Sequence, residues 1–288
     1  MDFIPGQSES SSAQVIPVKV GNFVIGQGNF TAFAGPCSIE SYEQFSAAAK
    51  GVQKAGAVML RGGMWKLRTS STTFQGLGGD AFEIVKKVKK ETGLPFVSEI
   101  TDPRQIDEIY DIVDMFQVGS RNMHNYALLK ELGLYKKPVL LKRGFAALVT
   151  EWVKAAEYIS QGGNDQIVLC ERGIRTFETS TRNTLDLNAV VFAKENTPYP
   201  VIVDPSHAVG VRSLVPQLAY ASAAAGADGI IVEVHPRPDE ALSDKEQALS
   251  IESFAAMMKQ LEKVLAAFDR TLIKPAQPPV FSEVPLVQ

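Results

Sequence analysis

Eight short apolar runs occur along the chain, and each of them ends on polar or charged side chains. Stretches with helical periodicity, such as 42–54 and 81–91, separate the runs from one another. Short apolar runs that alternate with helices are typical of buried parallel strands. Eight such units predict a single (β/α)8 TIM barrel of the α/β class. The runs are 31–36, 57–60, 94–97, 112–116, 138–141, 166–169, 200–203 and 229–232.

The predicted barrel also indicates where a functional site lies, because barrel enzymes carry their chemistry at the C-terminal ends of the strands. Two connections on that face, 62–79 and 173–184, are longer than the usual length of about 2–6 residues. The segment from Arg61 to Gly76 combines glycines, three cations and a run of hydroxyl side chains. Hydroxyls, backbone N–H groups and an arginine together are suited to hold a phosphate group.

The composition excludes several classes of protein. A net charge of −3 gives no general attraction for nucleic acid or for an acidic membrane surface. No apolar run approaches the length of about 20 residues that a membrane helix needs. Two cysteines form no disulfide framework, and the N-terminus lacks the features of a secretory signal. These observations predict a cytoplasmic protein with a small-molecule ligand.

The chain divides into four predicted segments. Residues 1–14 are polar and serine-rich, which predicts a disordered tail. Two short β-like runs in 15–30 predict a hairpin at the N-terminal mouth of the barrel. The catalytic barrel is predicted over 31–270, and 271–288 is predicted to be a proline-rich tail.

Four side chains of metal-binding type follow the first, seventh and eighth runs. They are Cys37, His207, Glu233 and Asp244. In a closed barrel these three strands are neighbours, so the four side chains can meet although they are far apart in sequence. A thiolate, an imidazole and two carboxylates suit Mn²⁺, Fe²⁺, Co²⁺ or Zn²⁺. The alternative is a buried apolar cysteine, a capping histidine and solvated carboxylates, and the spacing leaves both interpretations open.

Cations are concentrated at the same predicted face. Because arginine binds phosphate and carboxylate in a bidentate manner, their number favours a ligand with several negative charges, such as a phosphorylated metabolite. The alternative is a solvated basic surface. The cations are Arg61, Lys66, Arg68, Arg121, Lys142, Arg143, Arg172 and Arg175.

Motifs spread over about residues 31–250 resemble those of one enzyme family, the 3-deoxy-D-arabino-heptulosonate 7-phosphate (DAHP) synthases. The similarity is to the short class I type, which is related to the 3-deoxy-octulosonate 8-phosphate synthases. The matching motifs are Gly35-Pro36-Cys37-Ser38, Arg61-Gly62-Gly63, Arg68-Thr69-Ser70, Phe74-Gln75-Gly76, Gly119-Ser120-Arg121-Asn122-Met123, Leu140-Leu141-Lys142-Arg143-Gly144, Cys170-Glu171-Arg172-Gly173, Thr181-Arg182-Asn183-Thr184-Leu185-Asp186, Asp204-Pro205-Ser206-His207, Val232-Glu233-Val234-His235-Pro236 and Ser243-Asp244.

The resemblance implies a (β/α)8 enzyme that joins phosphoenolpyruvate (PEP) to an aldose phosphate and releases phosphate by breaking a C–O bond. It implies a divalent metal ion (Mn, Fe, Co or Zn), a homodimer or homotetramer, and the first step of the shikimate pathway. The metal ligands would be Cys37, His207, Glu233 and Asp244. PEP would be held by Arg121, Lys142 and Arg172 with Arg61 and Lys66 nearby, and the aldose phosphate by Arg68, Thr69 and Ser70.

The resemblance also implies the catalytic groups and leaves the acceptor sugar open. Glu99 and Lys142 would handle protons, with Cys37 and His207 acting through the metal. The family usually has proline where this chain has Leu67, so we expect a less rigid acceptor loop. The sequence Arg68-Thr69 favours erythrose 4-phosphate. The alternatives are another acceptor, such as arabinose 5-phosphate, or a paralogue that binds a sugar phosphate without catalysis.

Overall fold

Eight parallel strands close into a barrel in the computed structural model, which describes residues 14–66 and 72–275. Each strand pairs with the next along the chain, and the last pairs with the first. A separate antiparallel pair precedes the barrel. The predicted fold is therefore confirmed, including the N-terminal hairpin. The hairpin strands are β1 (Val18–Val20) and β2 (Phe23–Ile25); the barrel strands are β3 (Thr31–Gly35), β4 (Met59–Arg61), β5 (Phe96–Ile100), β6 (Met115–Val118), β7 (Val139–Lys142), β8 (Ile167–Glu171), β9 (Val201–Val203) and β10 (Gly229–Glu233).

Helices between the strands cover the outside of the barrel. They pack on the strands through buried apolar residues, which form one large cluster. The helices are α1 (Tyr42–Lys54), α2 (Ala81–Thr92), α3 (Gln105–Ile109), α4 (Tyr126–Gly133), α5 (Val149–Ser160), α6 (Leu187–Asn196), α7 (Pro205–Val209), α8 (Val215–Ala224) and α9 (Ile251–Ala266).

Local capping explains where the helices begin. The Ser41 hydroxyl accepts a hydrogen bond from the Gln44 backbone N–H (3.1 Å), and α1 begins at the predicted residue. The periodicity over 246–268 predicts a longer last helix than α9. In the structure Ser250 caps α9, and the preceding Leu249 extends the ladder of β10 by donating its N–H to the Glu233 carbonyl (2.9 Å).

A close approach between β3 and β4 requires a glycine at the catalytic end of the barrel. Gly35 has φ +152°, and a Cβ there would lie 2.1 Å from the Arg61 carbonyl oxygen. In the register of the closing pair, Gly35 lies opposite Glu233. The absence of a side chain therefore brings the ends of β3, β4 and β10 together, and Cys37 follows two residues later.

The hairpin packs against the opposite end of the barrel. Val18, Val20 and Ile25 are almost completely buried and join a cluster with side chains from all eight barrel strands. The Lys19 N–H donates to the Gln166 side chain, just before β8. The barrel interior is therefore an apolar core at its N-terminal end, and polar side chains collect at the other end.

Parts of the predicted tails and of the acceptor loop lie outside the described residues. These parts are 1–13, 67–71 and 276–288. The remaining part of the C-terminal segment pairs with the barrel through Leu272, which forms a bridge with Phe30. Within residues 14–66 and 72–275, no helix is both long and apolar enough to cross a bilayer.

Candidate active site

A cavity of about 300 Å³ opens at the C-terminal ends of the barrel strands. Its walls are polar, and eight of its side chains belong to residues that the sequence singled out as a site. Its lining residues are Arg61, Lys66, Thr73, Glu99, Gln117, Gly119, Ser120, Arg121, Lys142, Phe145, Arg172, Arg182, His207 and Asp244.

The four predicted metal ligands meet on one side of this cavity. One ligand atom from each of Cys37, His207, Glu233 and Asp244 can be chosen so that all lie within 4.8 Å of one another. Ligands on opposite sides of an ion, with bonds of about 2.0–2.3 Å, are separated by roughly 4–4.6 Å. The spacing therefore fits a single ion.

The short helix α7 determines how His207 faces this cluster. Asp204 caps α7 by accepting a hydrogen bond from the His207 backbone N–H (2.9 Å), and its other oxygen lies 2.7 Å from His207 Nδ1. Burial lowers the pKa of His207, which favours a neutral ring with its proton on Nδ1. The lone pair of Nε2 then points at Glu233 Oε1, 3.2 Å away. A cation between these two acceptors would relieve their repulsion, so the arrangement fits a metal ion.

Asp244 reaches the cluster from an unusual backbone conformation. Its φ is +52°, in the left-handed region that costs a residue with a side chain about 1 kcal/mol. Its carboxylate accepts a hydrogen bond from the Cys37 thiol (2.8 Å). Burial would raise the pKa of Asp244, but neighbouring His207, the Lys66 ammonium and the hydrogen bond from the Cys37 thiol lower it below its usual range. Asp244 is therefore an anion held at a strained position.

The surroundings of Cys37 favour the protonated thiol, which donates to Asp244. Burial, together with the negative charge of Glu233, raises the pKa of Cys37 to about 12. The Lys66 ammonium lies 2.7 Å from the sulfur and opposes this rise. A metal ion would displace the thiol proton, as thiolate ligation requires.

Arg61 and Lys66 lie on the metal side of the cavity. Arg61 is 4% exposed and donates to Glu233 Oε1 (3.0 Å) and to the Pro36 carbonyl (2.7 Å). Lys66 contacts Cys37, as described above, and its ammonium lies 4.0 Å from Asp244. The resemblance assigns both cations to the neighbourhood of PEP. Both line the cavity, and their direct contacts are with the candidate metal ligands.

Buried cations form the opposite side of the cavity. Lys142 ends β7 and donates to Asp204 (2.5 Å), the same carboxylate that contacts His207. Arg172 follows β8, is 2% exposed, and has no ion pair with any carboxylate of the described residues. Burial lowers the pKa of Arg172 to about 10. A buried guanidinium without a carboxylate partner is suited to receive an anionic ligand.

The Phe145 ring brings three guanidinium groups together at this side. The central guanidinium carbons of Arg172, Arg175 and Arg121 lie 4.6, 5.0 and 5.3 Å from the ring centroid. These distances are within the range of cation–π attraction, about 6 Å. The Phe145 carbonyl also accepts a hydrogen bond from the Arg175 backbone N–H (2.7 Å). The loops after β6, β7 and β8 therefore meet at this ring.

Arg143, another of the predicted cations, has a structural role. Its guanidinium donates to Glu171 (3.0 Å) and Asp186 (2.8 Å), and it is not among the lining residues of the cavity. Glu171 also accepts a hydrogen bond from the Gly173 backbone N–H (2.6 Å). The network fixes the chain on both sides of Arg172.

Glu99 lies between the two sides, near the end of β5. It is half-buried and lines the cavity. A Cβ on Gly119 would lie 2.0 Å from Glu99 Oε1, so the glycine leaves room for the carboxylate. Of the predicted acceptor residues, Arg68, Thr69 and Ser70 lie outside the described residues, although Thr73 of the same loop lines the cavity.

Besides Phe145, three contributors to the site were not assigned a role from the sequence: Asp204, Arg182 and Gln247. Asp204 carries a local signal, because an aspartate before Pro205 is a typical helix cap. Arg182 belongs to a motif that the resemblance includes. Gln247 carries no local signal, and only its contact with Glu233 identifies it.

Comparisons with known proteins agree on one family. Residues 10–267 match the profile of the DAHP synthetase I family. The chain is 44% identical over 250 residues to a phospho-2-dehydro-3-deoxyheptonate aldolase of Thermotoga maritima, covering 87% of this chain and 74% of that protein. It is 29% identical over 276 residues to a 2-dehydro-3-deoxyphosphooctonate aldolase of Francisella tularensis subsp. holarctica, covering 88% and 99%.

Solved structures give the same result. A crystal structure of the DAHP synthase of Thermotoga maritima superposes with a TM-score of 0.87 at 42% identity, covering 90% of this chain and 76% of that one. A truncated form of the DAHP synthase of the same organism gives a TM-score of 0.84 at 40% identity, covering 90% and 95%.

Proposed function

Because the chain belongs to the DAHP synthetase I family, we propose that it condenses PEP with D-erythrose 4-phosphate and water. The products are DAHP and inorganic phosphate, in the first step of the shikimate pathway. The observation that carries the proposal is a single cavity with a metal-ligand set on one side and, on the other, a buried Arg172 that forms no ion pair within the described part of the chain. The similarity to a heptonate aldolase of Thermotoga maritima supports the choice of reaction.

PEP is bound at the cationic side in this proposal. Arg172 and Arg121 hold its phosphate and carboxylate, and Lys142 lies between them and the metal side. Because both anionic ends of PEP are held by fixed cations, PEP can adopt few orientations in the cavity. Its methylene carbon then faces the second substrate. Neutralising the phosphate also prepares it as a leaving group.

The metal side binds the aldehyde end of the aldose phosphate. Cys37, His207, Glu233 and Asp244 would hold a divalent ion, which supplies Lewis-acid polarisation of the aldehyde oxygen. Lys66 and Arg61 balance the negative charge of these ligands. Asp204 keeps the imidazole of His207 oriented with Nε2 toward the cavity.

The bond changes then balance without a redox step. The methylene carbon of PEP bonds to the aldehyde carbon, whose oxygen takes a proton and becomes a hydroxyl. Water adds to the former enol carbon, and the C–O bond to phosphate breaks. We assign these proton transfers to Lys142 and Glu99, and the assignment is supported by the fact that both side chains line the cavity.

The acceptor phosphate is bound by the loop after β4. We infer that Arg68, Thr69 and Ser70 contact it, on the strength of the family motif and of Thr73, which brings this loop to the cavity wall. The ion identity among Mn²⁺, Fe²⁺, Co²⁺ and Zn²⁺ stays a prediction, as do the homodimer or homotetramer and the cytoplasmic location.

Phosphate release by the purified full chain tests the proposal. The metal-loaded protein is given PEP with erythrose 4-phosphate, with arabinose 5-phosphate, or with no aldose. We expect release that depends on both the ion and erythrose 4-phosphate. Release with arabinose 5-phosphate but not with erythrose 4-phosphate would assign the octulosonate reaction instead. No release with either sugar would indicate a protein that binds sugar phosphates without catalysis.

A further inference from the structure

Two of the candidate metal ligands are connected to each other through two further side chains. Gln247 Nε2 donates to Glu233 Oε2 (2.8 Å), and Gln247 Oε1 accepts from Arg182 Nη1 (3.0 Å). The same Arg182 nitrogen lies 3.4 Å from Asp244 Oδ1. A continuous bridge therefore runs from Glu233 through Gln247 and Arg182 to Asp244.

The orientation of Gln247 within this bridge is fixed. Its side chain is 2% exposed, and its donor and acceptor ends both have partners. Rotating the amide by half a turn would place its oxygen against the Glu233 carboxylate and its NH₂ group against a guanidinium. Each of these contacts would be repulsive, so only one orientation is stable.

The bridge also accounts for the position of Asp244. The backbone N–H of Gln247 donates to the Asp244 carbonyl (3.2 Å), which closes the turn in which Asp244 has its positive φ. Arg182 is held in place by its own backbone N–H, which donates to the Val209 carbonyl (3.0 Å). The strained Asp244 is thus restrained through both its backbone and its carboxylate.

We propose that Gln247 and Arg182 are positioning residues that hold Glu233 and Asp244 ready for the divalent ion and so determine the affinity of the site for it. The inference rests on the metal centre of the proposed function. Gln247 binds Glu233 Oε2, so the other oxygen, Oε1, which also accepts from Arg61, faces His207 Nε2 across the candidate metal position. Losing such a partner of a metal ligand typically weakens metal binding about 10–100-fold.

Cobalt titration of the metal-free full chain measures this affinity directly. Co²⁺ bound to a thiolate gives absorption bands that report occupancy by Cys37 without any turnover. Gln247→Met keeps the length of the side chain and removes both hydrogen bonds, so we expect the Co²⁺ dissociation constant to rise about 10–100-fold. Gln53→Met is the matched control, since Gln53 donates to the Thr92 carbonyl far from the cavity, and we expect the wild-type constant.

A second variant, at Arg182, tests the bridge even if the Gln247 variant does not fold. Arg182 has a side chain that is 39% exposed, and we expect Arg182→Met to weaken Co²⁺ binding about tenfold. If the two residues act as one bridge, the double variant loses less affinity than the product of the two single losses. An unchanged Co²⁺ constant in either single variant overturns the proposal. Wild-type protein that takes up no Co²⁺ would instead overturn the metal centre itself.

Discussion

At the ends of β3, β4, β9 and β10 the buried charged groups touch one another, whereas at the ends of β6 and β8 the cations gather around an aromatic ring. On the first side, Arg61 contacts the carboxylate of Glu233, and Lys66 contacts the sulfur of Cys37. On the second side, Arg172 has no carboxylate partner among the described residues and lies over Phe145.

The difference shows how one cavity is prepared for two kinds of ligand. On the metal side, the candidate ligands are partly neutralised by Arg61 and Lys66, and a metal ion that binds there replaces the thiol proton. On the cationic side, Arg172 lies over the Phe145 ring and forms no ion pair with a carboxylate of the described residues, so its guanidinium is suited to bind an incoming phosphate or carboxylate. If this comparison is right, a change on one side should leave ligand binding on the other side within about twofold, as expected for independent sites.

Removing a metal ligand is the change with the largest expected effect. Cys37→Ala and His207→Ala each take one of four donors from the cluster, so we expect metal-dependent phosphate release to be abolished. PEP affinity, measured by calorimetry with the metal-free protein, should stay within about twofold of wild type. Full activity of either variant would contradict the assignment of the cluster.

Glu99→Gln tests the group between the two sides. The amide keeps the volume of the side chain but accepts no proton, so we expect kcat to fall about 100-fold or more. The KM for PEP should change much less, because the cations of the second side remain. Steady-state kinetics separate the two parameters. A variant with wild-type kcat and a raised KM would make Glu99 a binding residue only.

Arg172→Met tests the cationic side. A charge-assisted hydrogen bond contributes about 1.5–3 kcal/mol, so PEP binding should weaken by roughly 10–100-fold. Calorimetric titration with PEP checks this, and Co²⁺ titration of the same variant should give the wild-type constant. Arg172→Lys keeps the charge without the planar fork, so its loss should be intermediate. Equal losses of PEP and Co²⁺ affinity would show that the two sides are not separate.

Phe145→Leu is expected to have the smallest effect. Leucine retains an apolar contact but lacks the π face, and exposed cation–π contacts contribute about 0.5–1 kcal/mol each. Loss of one to two of these contacts, about 0.5–2 kcal/mol, corresponds to a rise in the KM for PEP of about two- to thirtyfold. Phe145→Tyr keeps the ring and should behave like wild type. If both variants bind PEP equally well, the ring does not position the arginines.

Local sequence patterns predict much of this structure because the determinants are themselves local. Each predicted apolar run overlaps a barrel strand and ends within three residues of the end of that strand, and Ser41 fixes the start of α1. The convergence of Cys37, His207 and Glu233 follows from the topology alone, since β9, β10 and β3 are neighbours in the barrel.

Other features depend on contacts between loops that lie far apart in sequence, so no local pattern reveals them. Arg61 turns toward Glu233, 172 positions away, because β4 and β10 flank the same strand. The positive φ of Asp244 and the bridge through Gln247 depend on the path of the loop after β10. The gathering of arginines at Phe145 needs three βα loops in contact, and residue type alone does not indicate it.

The fate of the bridging oxygen of PEP tests the central claim most directly. PEP labelled with ¹⁸O in its C–O–P bridge is given to the metal-loaded enzyme with erythrose 4-phosphate, and the phosphate is observed by ³¹P NMR. The proposed reaction breaks the C–O bond, so the label should appear in the phosphate as DAHP accumulates. Unlabelled phosphate, formed by cleavage of the P–O bond, would contradict it.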